Sequence, residues 1–355
     1  MKGNDMQEEY LKGRGAQYQA HNRFDRLHYV QEHIEGLDEP YLRHPQRQIL
    51  QDHPKKLISK SNSPDLNNMY SINPYRGCEH GCIYCYARNS HEYWGFNAGL
   101  DFETKIVAKP NAPQLLEQHF LSKNWKSHPI ALAGNTDCYQ PIERELKITR
   151  NLLKVFVRFG NPVNLITKNG LICRDIDLLR ALAEEKLVHV YISITSQNEQ
   201  LRSKMEPRTA SARKRLQTLE KLSTAGIPCG VMIAPIIPAL NDHEIPQIMK
   251  SAADAGARAA GYTVVRLNGA IGPIFLDWLH KNFPERASKV ENQIKSLHGG
   301  NLNDSMFGRR MKGEGVVSDS IQQLFKIAKN KYLKHREMPA YNMNAFRPNG
   351  TMSLF

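Results

Sequence analysis

The most constraining feature of this chain is the stretch Asn73-Pro-Tyr-Arg-Gly-Cys-Glu-His-Gly-Cys-Ile-Tyr-Cys-Tyr-Ala-Arg88. It gathers three of the six cysteines, Cys78, Cys82 and Cys85, in a C-x3-C-x2-C spacing. Thiolates are soft ligands that suit iron–sulfur clusters and zinc. Gly77 and Gly81 let the backbone turn tightly around an inorganic core. A [4Fe–4S] cluster usually takes four cysteines, so a local triplet leaves one iron open to bind a small molecule. The alternative is a structural zinc knuckle of Cys3His type, with His80 as the added ligand. Zinc knuckles more often use C-x2-C pairs, so the spacing fits iron–sulfur better, and His80 reads as a solvated loop residue. A redox disulfide fits less well, because three cysteines share one short loop.

From residue 70 onward, apolar strand-like runs alternate with stretches of helical period. Strands are expected over 69–74, 129–133, 163–166, 188–194, 228–234 and 259–265. Helices are expected over 113–121, 142–159, 175–185, 211–225, 243–255 and 273–281, and a helix start over 83–93. About six β–α units predict a parallel sheet with helices outside and chemistry at the C-terminal strand ends. This divides the chain into a polar extension over 1–69, a core over 70–281, and a C-terminal extension over 282–355. The C-terminal extension holds a loop at 299–315 and a helix at 319–334. The polar first segment, with a short helix at 27–34, reads as a partly disordered leader; a strap across the mouth of the core, or a partner arm, is the other reading.

The chain has 355 residues, 41% of them hydrophobic and 23% charged, which is the composition of a soluble globular protein. No apolar run approaches the ~20 residues of a membrane helix, and the N-terminus lacks an apolar signal segment. A thiolate site argues for a reducing compartment, so a cytoplasmic location is expected. The net charge is +13. Residues 1–70 hold ten basic and ten acidic side chains, so the excess lies beyond them. One patch is Arg202, Lys204, Arg208, Arg213, Lys214, Arg215 and Lys221. A second runs from Arg309, Arg310 and Lys312 to Lys326, Lys329, Lys331, Lys334 and Arg336. Such an excess suits a polyanion, most simply nucleic acid, or is a solvated basic surface.

The cysteine spacing, with Tyr84 just before the third cysteine, resembles the signature of the radical S-adenosylmethionine (SAM) superfamily. Within it, five segments resemble the spore photoproduct lyase-like group. They are the cysteine loop, Gly134-Asn-Thr-Asp137, Ile166-Thr-Lys168, Tyr191-Ile-Ser-Ile194 with Glu206-Pro-Arg208, and Met232-Ile-Ala-Pro235. The resemblance implies a partial TIM-like (β/α)6 barrel, open on one side. It also implies a [4Fe–4S] cluster on Cys78, Cys82 and Cys85, SAM on the open iron, and an electron donor such as flavodoxin or ferredoxin. A 5′-deoxyadenosyl radical would then abstract hydrogen from substrate. For SAM it implies Thr136 and Asp137 near the amino group, Lys168 on the carboxylate and Ser193 on the aminoacyl or ribose part. Thr195 is a second candidate there, and Ala234 gives close backbone approach. Arg208 is an anion contact or the opening of a basic helix.

Tyr84 and Tyr86 flank Cys85 as relay tyrosines do in that group. The group's hydrogen-donor cysteine is matched here by Gly134, and Cys138 is the candidate substitute. Cys173 and Cys229 read as core thiols. Three readings of function follow. The first is a radical SAM enzyme acting on DNA or RNA. The second acts on a protein or small metabolite, and the third is a zinc-knuckle nucleic-acid-binding protein without catalysis.

Overall fold

Six strands pair in parallel and in chain order: β1 (Tyr70–Ile72), β2 (Ile130–Leu132), β3 (Val163–Thr167), β4 (Val188–Ser193), β5 (Cys229–Ile236) and β6 (Ala259–Val264). This computed structural model describes residues 10–17, 20–24, 46–66 and 69–350. The expected helix over 27–34 lies outside them. Helices alternate with the strands: α1 (Ala112–Phe120), α2 (Ile148–Phe159), α3 (Ile176–Glu184), α4 (Ala212–Thr224), α5 (Ile245–Asp254) and α6 (Ile271–Asn282). A short antiparallel strand, Ser59–Lys60, edges β1, and among the described residues no pairing joins β6 back to β1, so the sheet they form is open. Because the six strands run parallel, their C-terminal ends lie on the same side, and the cysteine loop follows β1 there.

The strands carry β-branched and aliphatic runs whose inward residues, such as Val163, Leu165, Val190 and Ile192, are buried. The helices cover them with apolar stripes; α2 buries Leu152, Leu153, Phe156 and Phe159. A second packed group lies under the cysteine loop. There Phe275, Trp278 and Leu279 of α6 meet Val290 and Ile294 of α7 (Pro284–Leu297), together with Cys82, Ile83 and Tyr84. A last helix, α8 (Gly315–Tyr332), packs Ile321, Phe325 and Ala328 into the main core. The loop expected over 299–315 is present.

Four local expectations change. The helix over 142–159 is broken at Lys147, which takes φ 53°. The Glu143 carboxylate accepts from the amides of Thr149 (2.9 Å) and Arg150 (3.3 Å), so it serves the free N–H groups that start α2. Residues 83–93 form two 3-10 turns, Tyr86–Ser90 and Glu92–Trp94, closed by Gly95 at φ 72°. Three strands of two to four residues, Gln48–Gln51, Lys105–Ala108 and Tyr75–Arg76, make a small sheet that the apolar pattern does not announce. The leader reading fails over its described inner part. Ala16, Ala20 and Asn22 are buried, and the Asn22 amide donates to the carbonyls of Glu92 and Phe96.

Candidate active site at the cysteine loop

The cysteine loop is clamped from three sides. From the end of β2, the Gln140 side chain donates to Gly77 O (3.0 Å) and accepts from Glu79 N (3.0 Å). The Ile142 amide donates to the Glu79 carboxylate at 2.7 Å. From the end of β4, Met205 O accepts from Ile83 N (3.0 Å) and Arg208 N donates to His80 O (3.3 Å). From the N-terminal side, Gly15 N and Ala16 N donate to the Glu103 carboxylate (3.1 and 2.8 Å). That carboxylate also takes the buried Arg88 guanidinium at 2.6 Å. Arg88 in turn donates to Cys82 O at 3.1 Å. The segments touch closely enough that a Cβ on Gly15 would stand 1.7 Å from Gly81 O. Gly81 itself sits at φ 66°, a conformation that favours glycine.

Cys78 and Cys82 are buried and Cys85 is half-buried; all three are free thiols. Burial pushes each thiol up, Cys82 to about 12, and for Cys78 the neighbouring Cys82 and Cys85 add to it. That mutual effect places the three sulfurs in one electrostatic neighbourhood. Among the described residues, no three His, Cys, Asp or Glu side chains converge on a single metal ion. A cubane cluster spreads its thiolates over separate corners, whereas zinc draws its four onto one point. His80 is not solvated: it is 1% exposed. Its Nδ1 faces Asp137 at 3.4 Å and its Nε2 lies 3.4 Å from Asn169 Nδ2. Burial lowers its pKa to about 4 although Asp137 opposes this, so the ring is neutral at pH 7 and committed to the strand ends. With His80 held by Asp137 and Asn169, the loop offers no free histidine as the fourth ligand of a Cys3His zinc knuckle.

Around the loop the strand ends deliver the other candidates. Asp137, after β2, is tied down. It accepts from Thr167 Oγ1 (2.8 Å), Lys168 N (2.8 Å) and Tyr139 N (2.9 Å), so it locks β2 to β3. Thr136 is buried and its hydroxyl donates to Tyr75 O at 2.6 Å, leaving its oxygen able to accept. Lys168, after β3, stands with Nζ 5.8 Å over the Tyr84 ring, and its ammonium has no hydrogen bond or ion pair among the described residues. Its pKa is raised: burial lowers it, but Cys82 and Glu206 outweigh this. Because the Cys82 thiol is itself pushed up, Glu206 is the anion that sustains the ammonium at neutral pH. Ser193, at the end of β4, is buried with no side-chain hydrogen bond among the described residues. Ala234 is half-buried on β5.

Two side chains to which the sequence reading gave no role in the site, Glu206 and Arg215, organise this centre. Glu206 is buried and accepts from Thr195 Oγ1 (2.5 Å) and from the Tyr84 hydroxyl, and it pairs with Arg215 of α4. Arg215 also donates to Ser193 O (3.0 Å) and to Thr209 Oγ1 (2.5 Å). Thr195 and Tyr84 are thus anchored rather than open. The signal that was available is a lone acid, Glu206, inside a basic run. Arg215 therefore does not belong to a surface patch, nor does the buried Arg202, which pairs with Glu199 at 2.6 Å. In the second patch, Arg309 pairs with Asp304 and Glu314, and Arg310 with Asp65.

Tyr86 is 50% exposed, and its hydroxyl donates to Gly134 O at 2.5 Å. A Cβ at Gly134 would meet Ser71 Cβ at 2.9 Å, so a cysteine there would displace β1. Cys138 is fully buried in the main core, whereas Cys82 packs in the second group and Cys78 in a third with Phe102. Cys229 is buried and its thiol donates to Ile227 O; Cys173 is half-buried.

Residues 72–252 match the family model described as the radical SAM superfamily. The chain belongs to the radical SAM superfamily. It is similar to an uncharacterized protein of Mycobacterium tuberculosis, 33% identical over 64% of this chain and 68% of that one. It is also similar to an uncharacterized protein of Methanocaldococcus jannaschii, 29% identical over 69% of this chain and 88% of that one. In fold it is similar to a spore photoproduct lyase complexed with dinucleoside spore photoproduct. That structure has a TM-score of 0.59 at 15% identity and covers 84% of this chain and 85% of the lyase. The protein is a radical SAM enzyme, and membership implies SAM and an iron–sulfur cluster as its cofactors. Among the described residues no helix is long and apolar enough to cross a membrane.

Proposed function

We propose that Cys78, Cys82 and Cys85 hold a [4Fe–4S] cluster with one iron open to SAM, and that the substrate is a nucleic acid. The observation that carries the cofactor assignment is Lys168. A half-buried ammonium beside Cys82 with no protein anion in contact is a site waiting for a carboxylate. When bound and reduced, the cluster supplies the electron that cleaves SAM to a 5′-deoxyadenosyl radical, which abstracts hydrogen from substrate. The protein's part is positional. Lys168 takes the SAM carboxylate, Thr136 Oγ1 accepts from the amino group, and Ser193 Oγ bonds the aminoacyl or ribose part. Ala234 leaves room for the cofactor against β5. Asp137 holds the Lys168 backbone in place rather than meeting SAM directly. Tyr86, exposed and anchored on Gly134 O, borders the substrate, while Tyr84 is held by Glu206. We read Cys138 as a packing residue. A one-electron donor of the flavodoxin or ferredoxin kind reduces the cluster.

The nucleic-acid assignment is supported by the net charge of +13 and by the fold likeness to a lyase bound to a dinucleoside lesion. A protein or small-metabolite substrate is the competing class. Anaerobic reconstitution is expected to give about four irons per chain and, with reductant and SAM, 5′-deoxyadenosine. Cys82→Ala is expected to lose both. Iron loading without any SAM cleavage would refute the cofactor assignment. An affinity for DNA or RNA that falls steeply with salt is expected; absence of binding at low salt would refute the substrate class.

A further inference from the structure

A cavity of about 320 Å3 opens beside the cysteine loop, between the turn that follows β3, the start of α4 and the helix Glu143–Leu146 that follows β2. Its walls carry Arg144, Arg174 and Lys214 and no carboxylate. Arg174 is already committed, to Glu143 at 2.7 Å and Asp175 at 2.8 Å. Arg144 and Lys214 are exposed and have no ion-pair partner among the described residues. Two unneutralised cations across one small cavity repel each other unless an anion lies between them. Gly170 also lines it, and a Cβ there would stand 3.0 Å from Thr218 Oγ1 and 3.5 Å from Lys214 Cε, so a side chain at this position would crowd Lys214. Asn169 links the cavity to the site: it follows Lys168, and its amide reaches His80 inside the cysteine loop.

We propose that this cavity binds a phosphodiester of the substrate strand and so sets which nucleotide reaches the cysteine loop. The proposal rests on the nucleic-acid reading above. Its chemistry is that of two cations gripping one backbone phosphate, a contact that fixes register without reading sequence. The test measures binding of a fluorescent single-stranded oligonucleotide of about twelve nucleotides across a salt series. It compares the wild type, Arg144→Gln/Lys214→Gln, and the charge-matched control Lys326→Gln/Lys329→Gln on α8. The cavity variant is expected to lose about tenfold in affinity at low salt and to have a shallower salt dependence by about one. The control is expected to lose less than half of that effect. Equal losses in both variants, or none in the cavity variant while the wild type binds, would overturn the cavity and leave the nucleic-acid reading standing. A wild type that binds neither DNA nor RNA at low salt would overturn that reading, and this proposal with it.

Discussion

Replacing Glu206 by glutamine removes the anion on which the ends of the cysteine loop and β4 converge. The carboxylate is fully buried, yet its pKa is lowered to about 2. Burial raises it, and Arg215, Lys168 and the hydroxyls of Thr195 and Tyr84 more than offset that. A fall from 4.5 to about 2, at about 1.4 kcal/mol for each tenfold change, corresponds to about 3 kcal/mol. That agrees with the ~3–5 kcal/mol typical of breaking a buried pair from one side. The sign follows from the direction of the shift. A carboxylate whose folded pKa is depressed contributes stability that is complete above pH 4.5 and is lost as pH falls through about 2. The expectation is therefore a gap of about 3 kcal/mol between wild type and Glu206→Gln at pH 7, narrowing as the pH drops below about 4.5. Urea unfolding of the metal-free protein at a series of pH values measures it. Adding Arg215→Met to Glu206→Gln is expected to restore part of the loss, because the stranded guanidinium goes with it. A gap under about 1 kcal/mol at pH 7, or one that does not narrow in acid, would refute the claim that this carboxylate is charged and stabilising.

Two further outcomes test the neighbourhood. Lys168→Met is expected to leave the iron content unchanged and to weaken SAM binding by about 10- to 100-fold, the range for losing one charge-assisted contact. Calorimetry on the anaerobic reconstituted enzyme reads it, and an unchanged affinity would remove Lys168 from the SAM site. Gly15→Val puts a side chain where Gly81 O stands 1.7 Å from the Cβ position. Residues 14–17 are expected to detach, giving faster proteolysis in that segment and faster loss of iron in air; wild-type rates of both would show that the clamp is not needed.

The cysteine loop and the order of the parallel strands were legible because both are local. The cysteine spacing lies within eight residues, from Cys78 to Cys85, and each β–α unit repeats one pattern. What escaped was pairing between distant segments. Tyr84 and Glu206 are 122 positions apart, and Gly15 and Glu103 are 88 apart. Neither leaves a periodic trace. Charge counting overstated the basic surface for the same reason: Arg202 and Arg215 are buried in ion pairs with acids of the same stretch. The break at Lys147 was hidden because the apolar period continues through it, while the cause is the side chain of Glu143 acting as a cap. His80 was misread because a polar residue in a glycine-bounded loop looks exposed until its partners, Asp137 and Asn169, are folded against it.

The distribution of satisfied and unsatisfied polar groups is what separates scaffold from site here. Asp137, Glu206, Glu103, Arg88 and Arg215 each hold several partners at once and leave little capacity for a ligand. They brace the loop from the ends of β2 and β4 and from the N-terminal segment. Within that braced frame, Lys168 Nζ and Ser193 Oγ make no hydrogen bond or ion pair among the described residues, and Thr136 Oγ1 keeps acceptor capacity. Polar groups without a protein hydrogen-bond partner keep their capacity for a ligand. A cation, a hydroxyl and an acceptor around three thiols are the complement of a carboxylate, a ribose and an ammonium, and that match is what supports the proposed seating of SAM beside the cysteine loop.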